Sequence, residues 1–148
     1  MMSKIVKTTA KIVFVFALLF GIYVILGGHL TPGGGFQGGA IVASAFALLI
    51  VAFGYNSLIK HKGKFTVLEC LALLLFISLA FIGMKIVFFD NFLAQSTEFG
   101  VNSGKLLSGG VIPLMNIAVG LEVVAALTSI ILLMSRASYK ENIEEEKE

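Results

Sequence analysis

Residues 27–40, GGHLTPGGGFQGGA, decide how the rest of the chain is interpreted. Seven of these fourteen residues are glycine, and apolar runs flank the stretch on both sides. Residues 33–38, GGGFQG, have the letters of the dinucleotide-binding pattern G-x-G-x-x-G, which needs a preceding strand and a following amphipathic helix. The flanks here are typical of membrane helices, and neither the acidic residue of that pattern nor a Lys-Ser or Lys-Thr pair follows. We therefore interpret the stretch as a connection between two membrane spans.

The composition agrees with a membrane protein. The chain has 148 residues, of which 57% are hydrophobic and only 14% charged, and its mean hydropathy is +0.97. A soluble domain of this size needs more charge to cover its surface. The net charge of +2 is too small to indicate a nucleic-acid-binding surface. The single cysteine, Cys70, has no partner for a disulfide or a metal site and is expected to pack as a small hydrophobe.

Four apolar runs are each long enough to cross a bilayer, which needs about 20 helical residues. They are continuous and lack the alternation of barrel strands, so the predicted fold is all-α, a polytopic membrane protein with four transmembrane helices. The first run has a basic start like a signal peptide, but no small-x-small cleavage pattern follows, and we predict a retained helix. Residues 1–136 form the predicted membrane domain and residues 137–148 a charged tail. The runs are 12–28, 30–59, 65–89 and 111–134.

The distribution of positive charge predicts the orientation. Lysines precede the first run and crowd the connection between the second and third runs, whereas the other two connections carry little positive charge. The positive-inside rule then places both termini in the cytoplasm of a multi-pass cell-membrane protein, with the glycine-rich stretch and residues 90–110 outside. The cytoplasmic basic residues are Lys4, Lys7, Lys11, Lys60, Lys62, Lys64, Arg136 and Lys140.

The start of the second span predicts close helix packing. Thr31 and Pro32 match a helix start, with threonine as the N-cap and proline at the first helical position. Each following glycine costs about 1 kcal/mol relative to alanine, which close approach of another helix would offset. Phe36 and Gln37 are the bulky exceptions and are expected to stand out from a smooth surface. Small residues recur four apart at Gly35, Gly39, Ala43 and Ala47.

Residues 28–39, GHLTPGGGFQGG, resemble the signature of the MnhB family, the B subunits of Mrp-type multisubunit sodium/proton antiporters. Related subunits occur in membrane-bound hydrogenases and in sulfur-reducing complexes with the same antiporter module. The resemblance covers about residues 8–135 and implies an integral subunit with other membrane subunits, lipid, sodium ions and protons as partners, without a settled catalytic residue. Gln37 is a position where the family is expected to vary. The matching motif positions are Gly28, His29, Thr31, Pro32, Gly33, Gly34, Gly35, Phe36, Gly38 and Gly39.

Glu122 is the strongest candidate for a functional ionisable group. It is the twelfth residue of the fourth run, near mid-bilayer at a rise of ~1.5 Å per residue. Ionisable residues at this depth are energetically expensive and favour a functional hypothesis. Two interpretations remain open, a proton or sodium site and a protonated side chain hydrogen-bonded to a neighbouring subunit. Ala118, Ala125 and Ser129 flank Glu122 on the same face, which indicates a helix-packed or water-lined side rather than lipid. Elsewhere in the run, Asn116 and Gly120 are expected to be packing residues.

Three further residues are weaker ion-path candidates. Glu69 lies five residues into the third run, and Lys85 lies near the other end of that run, where lysine can extend to the interface. They cannot pair, because sixteen residues separate them by about 24 Å along one helix. His29, at the outer end of the first span, could shuttle protons near neutral pH or hydrogen-bond a loop carbonyl.

The sequence leaves three functional hypotheses. In the first, the chain is a subunit of an Mrp-like antiporter module that packs the module and contributes to an ion path, in a stand-alone antiporter or a hydrogenase-type respiratory complex. In the second, it is a purely structural scaffold. In the third, it is a small homodimeric exporter, although such exporters resemble one another in an acidic residue of the first helix that is lacking here. No Cys or His cluster suits iron–sulfur, nickel or zinc, so we expect no cofactor, metal or catalytic centre in this chain.

Overall fold

The structure, a computed structural model, has four long helices among the residues that it describes. Each is long and apolar enough to cross a membrane, and the described part of the chain has no strands, which confirms the predicted fold class. The helices are α1 (Lys4–Gly27), α2 (Gly35–Phe53), α3 (Lys62–Ile82) and α4 (Ile112–Glu145), with a 3-10 turn, Ile59–His61, before α3. The described residues are 2–54, 59–82, 84, 87–94, 96, 100, 105 and 108–145.

The helix ends differ from the ends of the apolar runs. α1 begins at Lys4, before its uncharged run, because the Ser3 hydroxyl caps it by accepting a hydrogen bond from the Val6 N–H over 3.3 Å. α4 continues through charged residues as far as Glu145. α3 ends at Ile82, so the last residues of the third apolar run lie beyond the helix. Hydropathy therefore predicts where the membrane spans are, but it does not predict the residues at which the helices begin and end.

The predicted start of α2 at Pro32 is wrong. α2 begins at Gly35, and its N-cap is Gly34. Thr31 instead completes the end of α1, since both its backbone N–H (2.9 Å) and its hydroxyl (3.0 Å) donate to the Gly27 carbonyl. Carbonyls in the last turn of a helix lack intrahelical partners, and Thr31 supplies two donors to one of them. Pro32 lies in the turn that follows.

The helices pack in the order α1, α2, α4, α3, and a smaller contact joins α1 to α4. Consecutive spans alternate in direction, so α2 and α4 run parallel to each other and antiparallel to α1 and α3. Phe46 of α2 links two neighbours through edge-to-face ring contacts, 5.4 Å from Phe14 of α1 and 5.5 Å from Phe65 of α3. α2 and α4 thus form the centre of the arrangement.

The outward faces of α1 and α3 carry large apolar side chains. Such surfaces are stable in a bilayer, where they contact lipid chains or other membrane helices. Among the described residues, some of the most exposed of these side chains are Ile5, Phe16, Tyr23, Leu74, Phe81 and Ile82.

Asn91, which precedes α4 by about twenty residues, forms side-chain hydrogen bonds with the backbone just before that helix. Its side-chain oxygen accepts a hydrogen bond from the Val111 N–H over 2.9 Å, and its amide nitrogen donates to the Gly109 carbonyl over 3.2 Å. Gly109 and Gly110 have φ values of +101° and +72°, which side-chain-bearing residues rarely adopt. A Cβ on Gly110 would also collide with the Asn91 side chain. No local pattern in the sequence indicates these contacts.

Candidate functional site

α1 and α2 meet through two glycines. A Cβ on Gly38 would lie 2.7 Å from the Gly21 carbonyl oxygen, and a Cβ on Gly21 would lie 2.9 Å from the Gly38 carbonyl oxygen. Neither position has room for a side chain unless the backbones move apart, which is the arrangement expected of small residues between membrane helices. The motif includes Gly38, but sequence reasoning missed Gly21, whose only signal is a lone glycine within an apolar run.

α2 and α4 also approach through glycines. A Cβ on Gly39 would lie 2.8 Å from the Cβ of Val123 and 2.9 Å from the Gly120 carbonyl oxygen. A Cβ on Gly35 would lie 3.0 Å from the Gly120 nitrogen. Gly120 in turn faces α1, because a Cβ on Gly120 would lie 2.8 Å from the Cδ1 of Ile25. Three helices therefore share one tightly packed region around Gly120.

The remaining motif glycines shape the turn between α1 and α2. A Cβ on Gly28 would lie 2.5 Å from the Gly34 Cα and 3.0 Å from the Asn116 Nδ2. Gly33 has a φ of +146°, and a Cβ there would lie 2.9 Å from Val24 Cγ1. The turn thus folds back on itself beneath the first turns of α4, where Asn116 lies against it.

The two bulky motif residues have a different environment. Phe36 is 60% exposed, and Gln37 is also exposed in the first turn of α2. The side chain of Gln37 lies close to Gly34 in the turn, since a Cβ on Gly34 would be 3.3 Å from the Gln37 Oε1. The motif therefore combines glycines that pack inside the chain with two side chains at its surface.

His29 lies in the same turn, against the loop that precedes α4. Its Cδ2 would be 3.6 Å from a Cβ on Gly109. Both ring nitrogens are buried and have no hydrogen-bond partner among the described residues, so the suggested bond to a loop carbonyl is not seen there. Buried polar atoms usually have a protein or water partner.

Glu122 lies on the side of α4 that faces α3. Gly120 and Val123, which contact α2, point about 160° and about 100° away from Glu122 around the helix. Ala118 and Ala125, one turn before and after Glu122, are completely buried, and α3 is the other helix with an extensive contact to α4. Glu122 itself is partly buried.

Glu69 lies on the facing side of α3, at about the same depth. It precedes the buried Ala72 by three residues, and it is itself partly buried. Phe76 and Met115 give the approximate alignment of the two helices, because both line an open apolar cavity of about 360 Å³. Glu69 is seven residues from Phe76, and Glu122 is seven residues from Met115, so each lies about 10.5 Å deeper along the antiparallel pair. Glu69 and Glu122 therefore lie at a similar depth along α3 and α4.

Two hydroxyl groups follow Glu122 along α4. The Oγ1 of Thr128 and the Oγ of Ser129 are buried without a hydrogen-bond partner among the described residues, and Thr128 is completely buried. Ser129 is seven residues after Glu122, on the same side of the helix and about 10.5 Å closer to its C-terminal end. Lys85, the remaining sequence candidate, lies outside the described residues.

Comparison with known proteins gives relatives along nearly the whole chain. An uncharacterized protein of Methanocaldococcus jannaschii is 41% identical over 138 residues, which cover 90% of this chain and 52% of the relative. A putative antiporter subunit, mnhB2, of Staphylococcus epidermidis is 48% identical over 56 residues, 38% of this chain and 40% of the relative. The chain thus spans about half the length of the curated relatives it matches.

A solved structure with the same fold belongs to the membrane-bound sulfane sulfur reductase, described as an archaeal respiratory membrane complex. One of its chains is 40% identical, with a TM-score of 0.75, and the match covers 90% of this chain and 58% of that chain. The family profile described as a domain related to the MnhB subunit of a Na+/H+ antiporter matches residues 5–129. This range includes all but the first residue of α1, all of α2 and α3, and the first half of α4. The protein therefore belongs to the MnhB family.

Proposed function

We propose that this chain is an integral membrane subunit of an Mrp-like cation/proton antiporter module. The observation that carries the proposal is the MnhB match over residues 5–129. The Staphylococcus epidermidis relative is named a putative antiporter subunit, and the solved relative belongs to a respiratory membrane complex. The module could accordingly stand alone or form part of a redox-driven complex, with other membrane subunits as partners and any redox centre held outside this chain.

The packing role of the chain follows from the glycine contacts. Gly38 and Gly39 are neighbours in sequence but face different helices, because successive residues of a helix point about 100° apart. Gly38 brings α2 against α1, and Gly39 brings α2 against α4. α2 thereby holds α1 and α4 at short backbone distances and fixes the position of α4, which carries Glu122.

The transport role proposed for the chain centres on Glu122 and Glu69. Two carboxyl groups at a similar depth on neighbouring helices are unfavourable if both are ionised in a low-dielectric region. A bound proton or sodium ion would remove that penalty, and a group that exchanges its proton or ion can form part of an ion path. The Ser129 hydroxyl, which has no hydrogen-bond partner in the described part of the chain, is the next hydrogen-bonding group on the same side of α4.

A scaffold without a role in ion transfer is the second candidate function. It is favoured by the glycine contacts, which explain the motif through packing alone. In that case, Glu122 would remain protonated and hydrogen-bonded to another subunit. The two candidates differ in whether proton transport depends on the acidity of Glu122.

The proposed orientation has both termini in the cytoplasm. Lys4, Lys7 and Lys11 at the start of α1 lie at the same end of the bundle as the lysines before and within the start of α3, and the positive-inside rule assigns that end to the cytoplasm. His29 and Lys105 then lie outside.

Cysteine labelling tests this orientation. In a Cys70→Ser background, Lys105→Cys should react with a membrane-impermeant maleimide in right-side-out vesicles, whereas Ser3→Cys should react only after permeabilisation. The Cys70→Ser chain without an added cysteine measures background labelling. The opposite pattern would show that the termini are outside.

Purification through an affinity tag on this chain tests the proposed function. A module subunit is expected to bring other membrane subunits with it in fixed proportion after mild solubilisation. A chain that is recovered only with copies of itself would contradict the proposal.

A further inference from the structure

Two lysines of α1 converge on one aromatic ring of α2. The Nζ of Lys7 lies 5.8 Å from the centroid of the Phe53 ring, and the Nζ of Lys11 lies 5.4 Å from it. The four-residue spacing places both lysines on one side of α1, where like charges repel each other. Contact with a ring face offsets part of that repulsion but leaves two positive charges side by side.

No acidic side chain from the first part of the chain neutralises these lysines. Residues 1–68 contain six lysines and no aspartate or glutamate, so Glu69 is the first acidic residue. α3 begins at the end of the bundle where α1 begins and α2 ends, so Lys60, Lys62 and Lys64 add positive charge there. The glutamates of the C-terminal segment begin at residue 141, beyond the membrane-spanning part of α4, which ends at Ser138.

The surface beneath these lysines is apolar and aromatic. Phe46 lies seven residues before Phe53 on the same side of α2, about 10.5 Å deeper in the membrane. Its ring contacts Phe14 of α1 and Phe65 of α3. Lys7 and Lys11 therefore lie at the membrane surface, and the aromatic rings that connect α1, α2 and α3 lie below them.

We propose that Lys7 and Lys11, beside Phe53, bind the phosphodiester headgroup of an anionic membrane lipid. The lysine side chains run along apolar surface and keep their charges at the level of lipid headgroups. Anionic headgroups are attracted by basic clusters at this depth, and basic pockets between membrane helices bind them. The acyl chains would lie against the rings below. The site does not depend on ion transport by this chain.

Native mass spectrometry of the purified complex tests the lipid site. The complex is equilibrated with mixed micelles of equal phosphatidylglycerol and phosphatidylcholine, and retained lipids are counted. The wild type should retain phosphatidylglycerol preferentially. Lys7→Gln/Lys11→Gln should weaken this retention by about 100-fold, since each charge-assisted hydrogen bond from a lysine to the bound headgroup contributes about tenfold. Phe53→Leu, which keeps both charges and removes the ring, should cause a smaller loss.

The matched control is Lys4→Gln/Lys60→Gln, which removes the same charge from the same end without touching the Phe53 contacts. It should retain phosphatidylglycerol within about twofold of the wild type. Equal losses in both double variants would show diffuse attraction and overturn the site. Equal retention of the two lipids by the wild type would do the same. Displacement of the lipid by millimolar glycerol phosphate would show a site for free anions and contradict the assignment to lipid.

Discussion

Replacing Glu122 with glutamine is expected to stop cation-coupled proton transport by the assembled complex while leaving its assembly intact. Glutamine has nearly the same shape and can hydrogen-bond, but it cannot release or take up a proton at physiological pH. Loss of a group that transfers protons should lower the transport rate by about 100-fold. The measurement is sodium-dependent collapse of a pH gradient in everted vesicles, with the subunit composition of the complex determined in the same membranes.

Two companion variants define what this result means. Glu122→Asp keeps the acid and should retain part of the activity. Glu69→Gln should also lower transport, because Glu69 lies on α3 at a similar depth to Glu122. Full transport by Glu122→Gln in a normally assembled complex would exclude Glu122 from the ion path. Loss of assembly in Glu122→Gln would favour the scaffold function.

Replacing Gly39 with leucine is expected to disrupt the chain itself. A Cβ alone would lie 2.8 Å from the Cβ of Val123 and 2.9 Å from the Gly120 carbonyl oxygen, so α2 and α4 must separate. Overpacking by a few methylenes already costs about 1–3 kcal/mol, and here the obstacle includes backbone. The variant should be recovered from membranes at a small fraction of the wild-type amount, and the remainder should dissociate from the complex at lower temperature.

Gly63→Leu is the matched control for this variant. It makes the same chemical change within a membrane-spanning helix of the same chain, but a Cβ on Gly63 meets nothing within 4 Å. Gly63→Leu should accumulate and assemble like the wild type. Equal loss of both variants would mean that leucine is disfavoured for reasons other than the α2–α4 contact.

The number of spans was predictable because each span needs a long run of apolar residues to cross the hydrocarbon core of the bilayer, and such runs are visible in the sequence. The helix ends were less predictable, since they depend on single hydrogen bonds. Thr31 illustrates the difficulty, because its hydroxyl can cap the start of one helix or donate to the end of another. In the structure it donates to Gly27. Its neighbour Pro32 favours a helix start by local rules, yet the chain needs a further turn before α2 can approach α1 and α4.

The candidate site was predictable only in part. The depth of Glu122 could be counted along one apolar run. Its relation to Glu69 required the alignment of α3 against α4, which the cavity shared by Phe76 and Met115 indicates and the sequence does not. Asn91 was missed for a similar reason, since its partner at Val111 is twenty residues away. Local patterns do not report contacts across such distances.

The measurement that tests the central claim most directly is the composition of the complex that this chain forms in its native membrane. The chain would carry an affinity tag, be solubilised in mild detergent and be purified under conditions that keep membrane complexes intact. Quantitative mass spectrometry of the purified material would then identify and count its components. Membership of an antiporter module predicts fixed stoichiometric amounts of other polytopic membrane subunits, and recovery of the chain alone or as a homodimer would contradict it.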